Sequence, residues 1–183
     1  MSRILLGASA SAALHKACDL ASKLAQQDHH VRAVLTPRAA ELISPQLFEA
    51  LTGEPARTDE FDEAERSGGM DHISLSQWTE LIVVAPATAD LVGRLAHGLG
   101  GDLLTTAILA VPQSVPRLLC PAMNPHMLAT PSVARNLAQL VEDGWRLVEP
   151  GEGHMACGVE GKGRLAEPPQ IIEAVRRALH LED

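Results

Sequence analysis

The chain has 183 residues and a formal net charge of −8, and 46% of its residues are hydrophobic although only 2% are aromatic. This length suits a single domain over residues 1–183, with a core built from small side chains. The acidic balance, with no basic run to offset it, argues against nucleic acid as a partner.

Several other classes of protein are equally disfavoured. No apolar run reaches the roughly 18 to 20 residues that span a bilayer, so we expect no membrane partner and a cytoplasmic protein. The three cysteines form no CxxC pair and are expected to remain thiols. The histidines show no metal-ligand spacing to cysteines or acids, and we expect no metal site.

Short apolar runs at intervals along the chain predict strands that are buried on both faces of a sheet. The runs are RILLG (3–7), VRAVLT (31–36), ELIVVAP (80–86), PRLLCP (116–121) and, more weakly, WRLVEP (145–150).

Helical patterns separate these runs. In residues 12–27 apolar side chains return every three or four positions, which predicts an amphipathic helix with Cys18 in its buried stripe. Further helices are predicted at 87–97, 102–110, 131–142 and 169–180. The alternation predicts one doubly wound α/β domain, Rossmann-like or flavodoxin-like, with a largely parallel sheet flanked by helices. Residues 53–70 are predicted to form a long exposed or mobile loop.

In such folds ligands gather at the carboxyl ends of the strands. The segments predicted there are GASAS (7–11), TPRAA (36–40), APATAD (85–90) and PAMNPHM (121–127). Ser9 and Ser11 could hold a phosphate, although tight packing of strand on helix explains these small residues equally well. Thr88 and Asp90 could meet a ligand or simply cap a helix.

Three further residues are candidates for chemistry. Asn124 lies between two prolines, as a turn residue often does, but its amide could also donate to a carboxylate beside Met123 and Met127. His72 is predicted to precede the third strand by one turn and could overhang the same sheet edge. Cys157 lies in a glycine-rich loop, where backbone N–H groups can approach an anion or tune a thiol, and a functional role is the better interpretation.

Three motifs, taken in order, resemble the homo-oligomeric flavin-containing cysteine decarboxylases. PATAD (86–90) is similar to the family's PASANT motif, PAMNPHM (121–127) matches PxMNxxM, and ACGVEGKGRLAEP (156–168) matches the substrate-recognition clamp ACGxxGxGRMxEP. The resemblance covers nearly the whole chain and extends to SPQLFEALTG (44–53) and DLLTT (102–106).

This resemblance implies FMN as cofactor and a small phosphorylated, cysteine-containing substrate of coenzyme A biosynthesis. The substrate would be oxidised to a thioaldehyde, lose carbon dioxide and be reduced again as an enethiolate. His72 would be the base, Asn124 the carboxylate ligand and Cys157 the final proton donor. Further implied contacts are to FMN from Ser9, Ala10, Ser11, Thr36, Thr88, Ala89, Asp90, Leu91 and Ala122, and to substrate from Asn124, His154, Met155 and Ala156.

Family members complete the FMN site with a neighbouring subunit, so the resemblance also implies a homotrimer or homododecamer.

Two related roles stay open, namely decarboxylation of a peptidyl cysteine and a non-catalytic, flavin-binding regulatory subunit. The clamp argues against a flavin prenyltransferase. Two-domain bacterial relatives continue into a synthetase where this chain ends, so it resembles a stand-alone decarboxylase. The chain departs from the family pattern at Ala8, Ala10, Asp90, Leu128 and Leu165, and of these the two alanines and Leu128 bear on FMN binding.

Overall fold

A computed structural model of the chain describes residues 1–61, 70–154, 158 and 160–179. These residues form a five-stranded parallel sheet, nine helices and a separate two-stranded antiparallel hairpin. The strands are β1 (Arg3–Ala8), β2 (His30–Leu35), β3 (Leu81–Ala87), β4 (Arg117–Pro121), β5 (Arg146–Leu147), β6 (Gly151–His154) and β7 (Glu160–Arg164). The helices are α1 (Leu14–Ala25), α2 (Pro37–Leu42), α3 (Pro45–Thr52), α4 (Asp71–Trp78), α5 (Ala89–Ala96), α6 (Leu103–Ala110), α7 (Pro125–Ala129), α8 (Pro131–Glu142) and α9 (Pro168–Ala178).

The sheet has the strand order β2-β1-β3-β4-β5, and every neighbouring pair is parallel. The chain therefore moves outward from β1 to β2 and then crosses back to β3 on the other side of β1. This reversal is the topological switch point of a flavodoxin-like sheet. The predicted doubly wound α/β fold is confirmed.

Two apolar layers hold helices against the two faces of the sheet. Ile4 and Leu6 of β1 belong to the layer under α1, α3 and α9, whereas Leu5 belongs to the layer under α4, α5, α6 and α8. Successive side chains of a strand point to opposite faces, so a strand covered on both faces must be apolar throughout. Cys18 is buried in the first layer, as predicted, together with Cys120, and burial raises the pKa of both thiols.

The four stronger strand predictions agree with the structure to within one residue at each end. The fifth is too long, because only Arg146–Leu147 pairs with the edge of β4. The predicted helices correspond to α1, α5, α6, α8 and α9 with small changes at their ends. Residue 180, the last position of the predicted final helix, lies outside the described residues.

The sequence patterns missed α2, α3, α4 and α7, which are short. A usable signal was present for three of them, since α2, α3 and α7 each begin with proline directly after a threonine, serine or asparagine. Missing α4 also misplaced His72, which lies in the first turn of that eight-residue helix rather than one turn before β3.

The loop prediction for residues 53–70 is wrong for its first part. Arg57 pairs with the free edge of β2, where its N–H donates to Ala33 O and its carbonyl accepts from Leu35 N, both at 2.9 Å. The neighbouring Ala56 is only 2% exposed. An edge strand carries unpaired backbone groups, and this segment covers them. Residues 62–69 lie outside the described residues.

Candidate functional site

A cleft of about 440 Å³ opens at the carboxyl ends of β1, β3 and β4. It therefore lies at the switch point of the sheet, where open α/β folds bind ligands. The lining residues are Ala10, Ser11, Ala12, Ala13, His15, Lys16, Thr88, Ala122, Met123, Asn124, Met127, His154, Gly163, Arg164 and Leu165. Of the predicted site residues that the structure describes, the cleft brings together Ala10, Ser11, Thr88, Ala122, Asn124 and His154.

Ser9 ties two of the loops around the cleft to each other. It is 2% exposed, and its Oγ donates to Pro86 O at 2.8 Å while accepting from Thr88 N at 2.9 Å. The loop after β1 is thus fixed to the loop after β3. Ser11 follows on the cleft side, where its hydroxyl accepts from Ala13 N at 3.2 Å just before α1 begins.

Thr88 meets the cleft in a way that helix capping does not explain. It occupies the N-cap position of α5, but its side chain makes no capping hydrogen bond. Asp90, by contrast, points its charge to Arg94, with 3.1 Å between carboxylate and guanidinium. The hydroxyl of Thr88 is therefore the polar group that this loop offers to a ligand.

Besides Ser9, four predicted FMN contacts lie outside the cleft lining and have other surroundings. Thr36 caps α2, since its Oγ1 accepts from Ala39 N at 3.3 Å. Leu91 is 1% exposed and packs in the core under α5. Neither residue lines the cleft, and the same is true of Ala89 and Asp90.

Asn124 caps a helix and also lies where a ligand in the cleft could reach it. Its Oδ1 accepts from His126 N at 2.8 Å and so caps α7, while the residue also lines the cleft. Because the oxygen is used in this bond, the group that could contact a carboxylate is the amide NH2, which is a donor. Met123 and Met127 line the same region and provide the expected apolar wall.

The cleft carries more positive than negative charge, although the chain as a whole is acidic. Lys16 Nζ donates to Glu167 Oε1 at 2.6 Å and to Leu165 O at 3.3 Å, and Arg164 Nη2 lies 3.6 Å from the same carboxylate. The hydrogen bond from Lys16 lowers the pKa of Glu167, which therefore remains ionised. Two cations share one anion, and His15 lies beside them in the cleft. This surplus favours an anionic ligand.

The hairpin of β6 and β7 forms one side of the cleft. Met123 N donates to Gly163 O at 3.0 Å, which fastens the hairpin to the end of β4. Gly161, with φ of +153°, packs so closely on α7 that a Cβ would lie 3.1 Å from Pro125 Cγ. Glycine is required there because any larger side chain would push the hairpin away from α7.

His72 contacts Glu60, with its Nδ1 facing Glu60 Oε1. Both side chains are largely buried, at 20% and 18% exposure. A carboxylate at Nδ1 holds the proton of a neutral imidazole on that nitrogen and leaves Nε2 as the acceptor. His72 does not line the cleft of its own protomer. The predicted site residues Met155, Ala156 and Cys157 lie outside the described residues.

Sequence reasoning missed the three cleft residues His15, Lys16 and Arg164, which carry ionisable side chains. A signal existed for Arg164, which is part of the clamp motif ACGxxGxGR. No such signal existed for Lys16, since a lysine on an amphipathic helix usually faces solvent.

Among the described residues, no group of three His, Cys, Asp or Glu side chains could hold a metal ion. No described helix has both the length and the apolar character needed to cross a bilayer.

The sequence matches the Flavoprotein family over residues 1–180. It is 43% identical over 174 residues to a coenzyme A biosynthesis bifunctional protein, CoaBC, of Bacillus subtilis, covering 95% of this chain. The chain spans only 42% of the length of that relative.

Two solved structures are similar over almost their whole length. A cysteine-to-serine mutant of PPC decarboxylase, complexed with pantothenoylaminoethenethiol, is 33% identical with a TM-score of 0.87, and the match covers 98% of both chains. SpaF, described as an FMN-dependent cysteine decarboxylase, is 32% identical with a TM-score of 0.82, covering 99% of this chain and 97% of SpaF.

Proposed function

Because this chain belongs to the Flavoprotein family, we propose that it is an FMN-dependent decarboxylase that converts 4'-phosphopantothenoylcysteine to 4'-phosphopantetheine in coenzyme A biosynthesis. The observation that carries this proposal is the cleft at the switch point, which combines small-residue loops, an apolar methionine wall and surplus positive charge. We further propose that residues 1–183 form one flavoprotein domain, which acts in the cytoplasm.

The cleft residues fit FMN in size and in chemistry. Ala10 and Ala122 leave room for a flat ring, and Met123 offers it an apolar surface. Ser11 and Thr88 offer hydroxyls to its polar edges. The start of α1, with no acidic residue in its first turn, lies beside the cleft and favours a phosphate group. FMN, when bound, supplies a reversible two-electron acceptor for the carbon that bears sulfur, giving a thioaldehyde that can release carbon dioxide.

Asn124 would hold the substrate carboxylate through its amide NH2. Its Oδ1 is fixed by the hydrogen bond from His126 N, so the orientation of the amide is set before substrate binds. A neutral amide stabilises a carboxylate less than an arginine would. This suits a carboxylate that must leave, since only interactions stronger in the transition state than in the ground state accelerate the reaction.

His72 would accept the thiol proton at Nε2 while Glu60 keeps the other ring proton at Nδ1. Because His72 does not line the cleft of its own protomer, we propose that a neighbouring subunit supplies it. The oligomer would then be a homotrimer or homododecamer in which each cleft is completed across an interface. The remaining predicted FMN contacts would act as structural supports or at that interface, namely Ser9, Thr36, Ala89, Asp90 and Leu91.

Cys157 would protonate the enethiolate that remains after carbon dioxide has left, as the clamp motif implies. The clamp residues Met155 and Ala156 would contact the substrate beside it. The described residues that flank this segment support a place near the substrate, since His154 lines the cleft and pairs with Glu160 across the hairpin. A thiol is suited to this step because its ordinary pKa, roughly 8.5, permits proton donation near neutral pH.

Lys16 and Arg164 would attract the substrate's phosphate. They share one carboxylate, Glu167, and so retain a net positive charge. Their salt bridge to Glu167 also holds both side chains in place before a ligand arrives. Preorganised cations lose less conformational entropy on binding than free ones.

The experiment is turnover by the purified protein loaded with FMN. We expect 4'-phosphopantothenoylcysteine to yield 4'-phosphopantetheine and carbon dioxide, detected by mass, with no external nicotinamide. A peptide ending in cysteine is assayed in parallel, because the similarity to SpaF makes a peptidyl cysteine the competing substrate. Faster turnover of the peptide would replace the proposed substrate, and a protein that binds no FMN would overturn the proposal.

A further inference from the structure

A second cavity, of about 380 Å³, lies at the opposite, amino-terminal edge of the sheet. Arg117 is the first residue of β4 and lines this cavity, whereas the proposed FMN cleft lies beyond Pro121, the last residue of the strand. The length of β4 therefore separates the two sites. The cavity takes no part in the proposed decarboxylation.

Arg117 is an unusual residue to find here, because it is charged and only 6% exposed. Its Nη2 donates to Val111 O at 2.8 Å and to Pro112 O at 3.0 Å. Its Nε is buried without a hydrogen-bond partner, and the part of the chain that the structure describes provides no ion pair to the guanidinium. A buried charge without a counter-charge is costly, so such a residue calls for a partner.

Capping of α6 accounts for only part of this arrangement. Val111 is the C-cap residue of α6, and the two carbonyl contacts explain why Nη2 lies where it does. They use neutral acceptors and leave the positive charge uncompensated. Burial lowers the pKa of the guanidinium, but arginine remains protonated at neutral pH. The capping role therefore does not remove the need for an anion.

We propose that this cavity binds a small organic monocarboxylate, with its carboxylate on Arg117 and its apolar part against Leu95, Ile108 and Leu109. The planar, forked guanidinium matches a carboxylate better than a point charge would. Leu109 is 48% exposed, so a ligand would also shield apolar surface that now meets water.

The other lining groups favour one negative charge over two. Asp143 lines the same cavity, and its carboxylate would repel a phosphate dianion about twice as strongly as a monoanion. Gln113 can donate from its amide to a ligand oxygen. The indole of Trp145 lies with its centroid 6.0 Å from the Arg117 guanidinium carbon and supports that group from one side.

Isothermal titration calorimetry on the FMN-loaded protein tests this proposal. The probes are 4-methylpentanoate, its uncharged amide and inorganic phosphate. We expect saturable binding of the carboxylate, binding of the amide weaker by at least about tenfold, and no binding of phosphate at the same concentrations. Arg117→Met should abolish carboxylate binding, whereas Arg135→Met, which removes an exposed arginine outside the cavity lining, should not.

Several results would overturn the proposal. They are equal affinity for the carboxylate and its amide, preference for phosphate, no binding of any probe, or unchanged binding by Arg117→Met. An altered assembly mass of Arg117→Met in light scattering, without probe binding to the unmodified protein, would assign the counter-charge to a second copy of the chain. If Arg117→Met fails to fold, as judged by lost FMN colour and circular dichroism, Arg117→Lys serves instead. That variant keeps the positive charge but loses the planar guanidinium that can bind both carboxylate oxygens. It should bind the carboxylate at least about tenfold more weakly than the unmodified protein.

Discussion

The two cavities at opposite edges of the sheet differ in how their positively charged side chains are paired. In the cleft at the carboxyl edge, Lys16 and Arg164 share the Glu167 carboxylate, and although Lys16 is mostly buried, about half of the Arg164 and Glu167 side chains meets solvent. At the amino edge, Arg117 is buried at the start of a strand and forms no ion pair within the described residues. An ion pair that meets solvent changes the free energy of folding little, whereas a buried charge without a counter-charge destabilises the folded state.

This difference indicates how each site would meet its ligand. In the cleft, Lys16 on α1 and Arg164 on the hairpin share one carboxylate. A substrate can therefore enter and leave without leaving either cation unpaired. The amino-edge cavity fixes its cation between a strand and the end of α6. Such a site suits an occupant that stays bound for longer, since the free state is the less favourable one.

The largest effect is expected from His72→Asn, which tests whether the cleft depends on a residue outside its own lining. The asparagine cannot take the thiol proton, so the first step should slow by at least about 100-fold and the flavin should stay oxidised. Flavin absorbance after anaerobic mixing with substrate measures this. His97→Asn, at an exposed position, is the control and should bleach the flavin normally. Normal bleaching by His72→Asn would remove His72 from the mechanism.

A smaller effect is expected from Lys16→Met, which tests the surplus charge of the cleft. Losing a charged hydrogen bond should raise KM for the phosphorylated substrate by about tenfold or more with little change in kcat. Lys23→Met is the matched control, because Lys23 is a partly exposed lysine on the same helix that lies outside the cleft and, within the described residues, forms its ion pair with Asp19. If FMN affinity fell instead of substrate affinity, Lys16 would belong to the cofactor site.

Glu60→Gln should slow the first step by about tenfold, at the lower end of the range for such groups, because glutamine can still hydrogen-bond to the ring. Groups that orient a functional histidine typically contribute about 10- to 100-fold to activity. Glutamine keeps the shape of the Glu60 side chain but not its charge. We expect slower flavin reduction at the first step and an unchanged return of electrons in the second. Stopped-flow measurement of the two half-reactions separates these. Equal slowing of both would mean that Glu60 supports the fold rather than His72.

The smallest effect concerns His29, which is 8% exposed and lies in neither cavity. Burial lowers the pKa of this histidine, so the folded state favours the neutral ring. Its contribution to stability is then fully present above the unfolded pKa of about 6.5 and is lost as pH falls below that value. Unfolding by urea at pH 7.5 and pH 5.5 measures the loss. His29→Leu should reduce the difference between the two pH values, and the exposed His30→Gln should not.

The sheet could be predicted from the sequence because its strands are apolar on both faces. The run LIVVAPA of β3, for example, is fully buried and leaves no other consistent interpretation. The loops of the site followed from the strands, since parallel strands bring their carboxyl ends to one edge. Small residues at those ends marked the cleft correctly at Ala10, Ser11 and Thr88.

Side-chain partners far apart in sequence could not be predicted in this way. Lys16 and Glu167 are 151 positions apart and meet only because α1 and the segment before α9 share one edge of the sheet. Ser9 looked like a phosphate ligand, but its hydroxyl is used by the loop after β3. Arg117 starts an apolar strand, and arginine is so rarely buried that its sequence context gave no warning.

The most direct test of the proposed decarboxylation is the fate of substrate and flavin in Cys157→Ser. The variant should bind FMN, oxidise 4'-phosphopantothenoylcysteine and release carbon dioxide, but stall before the final reduction, because a serine hydroxyl is a far weaker acid than a thiol. We therefore expect bleached flavin together with an accumulating oxidised, decarboxylated product when absorbance and mass are followed under anaerobic conditions. Formation of 4'-phosphopantetheine at an undiminished rate would contradict the account.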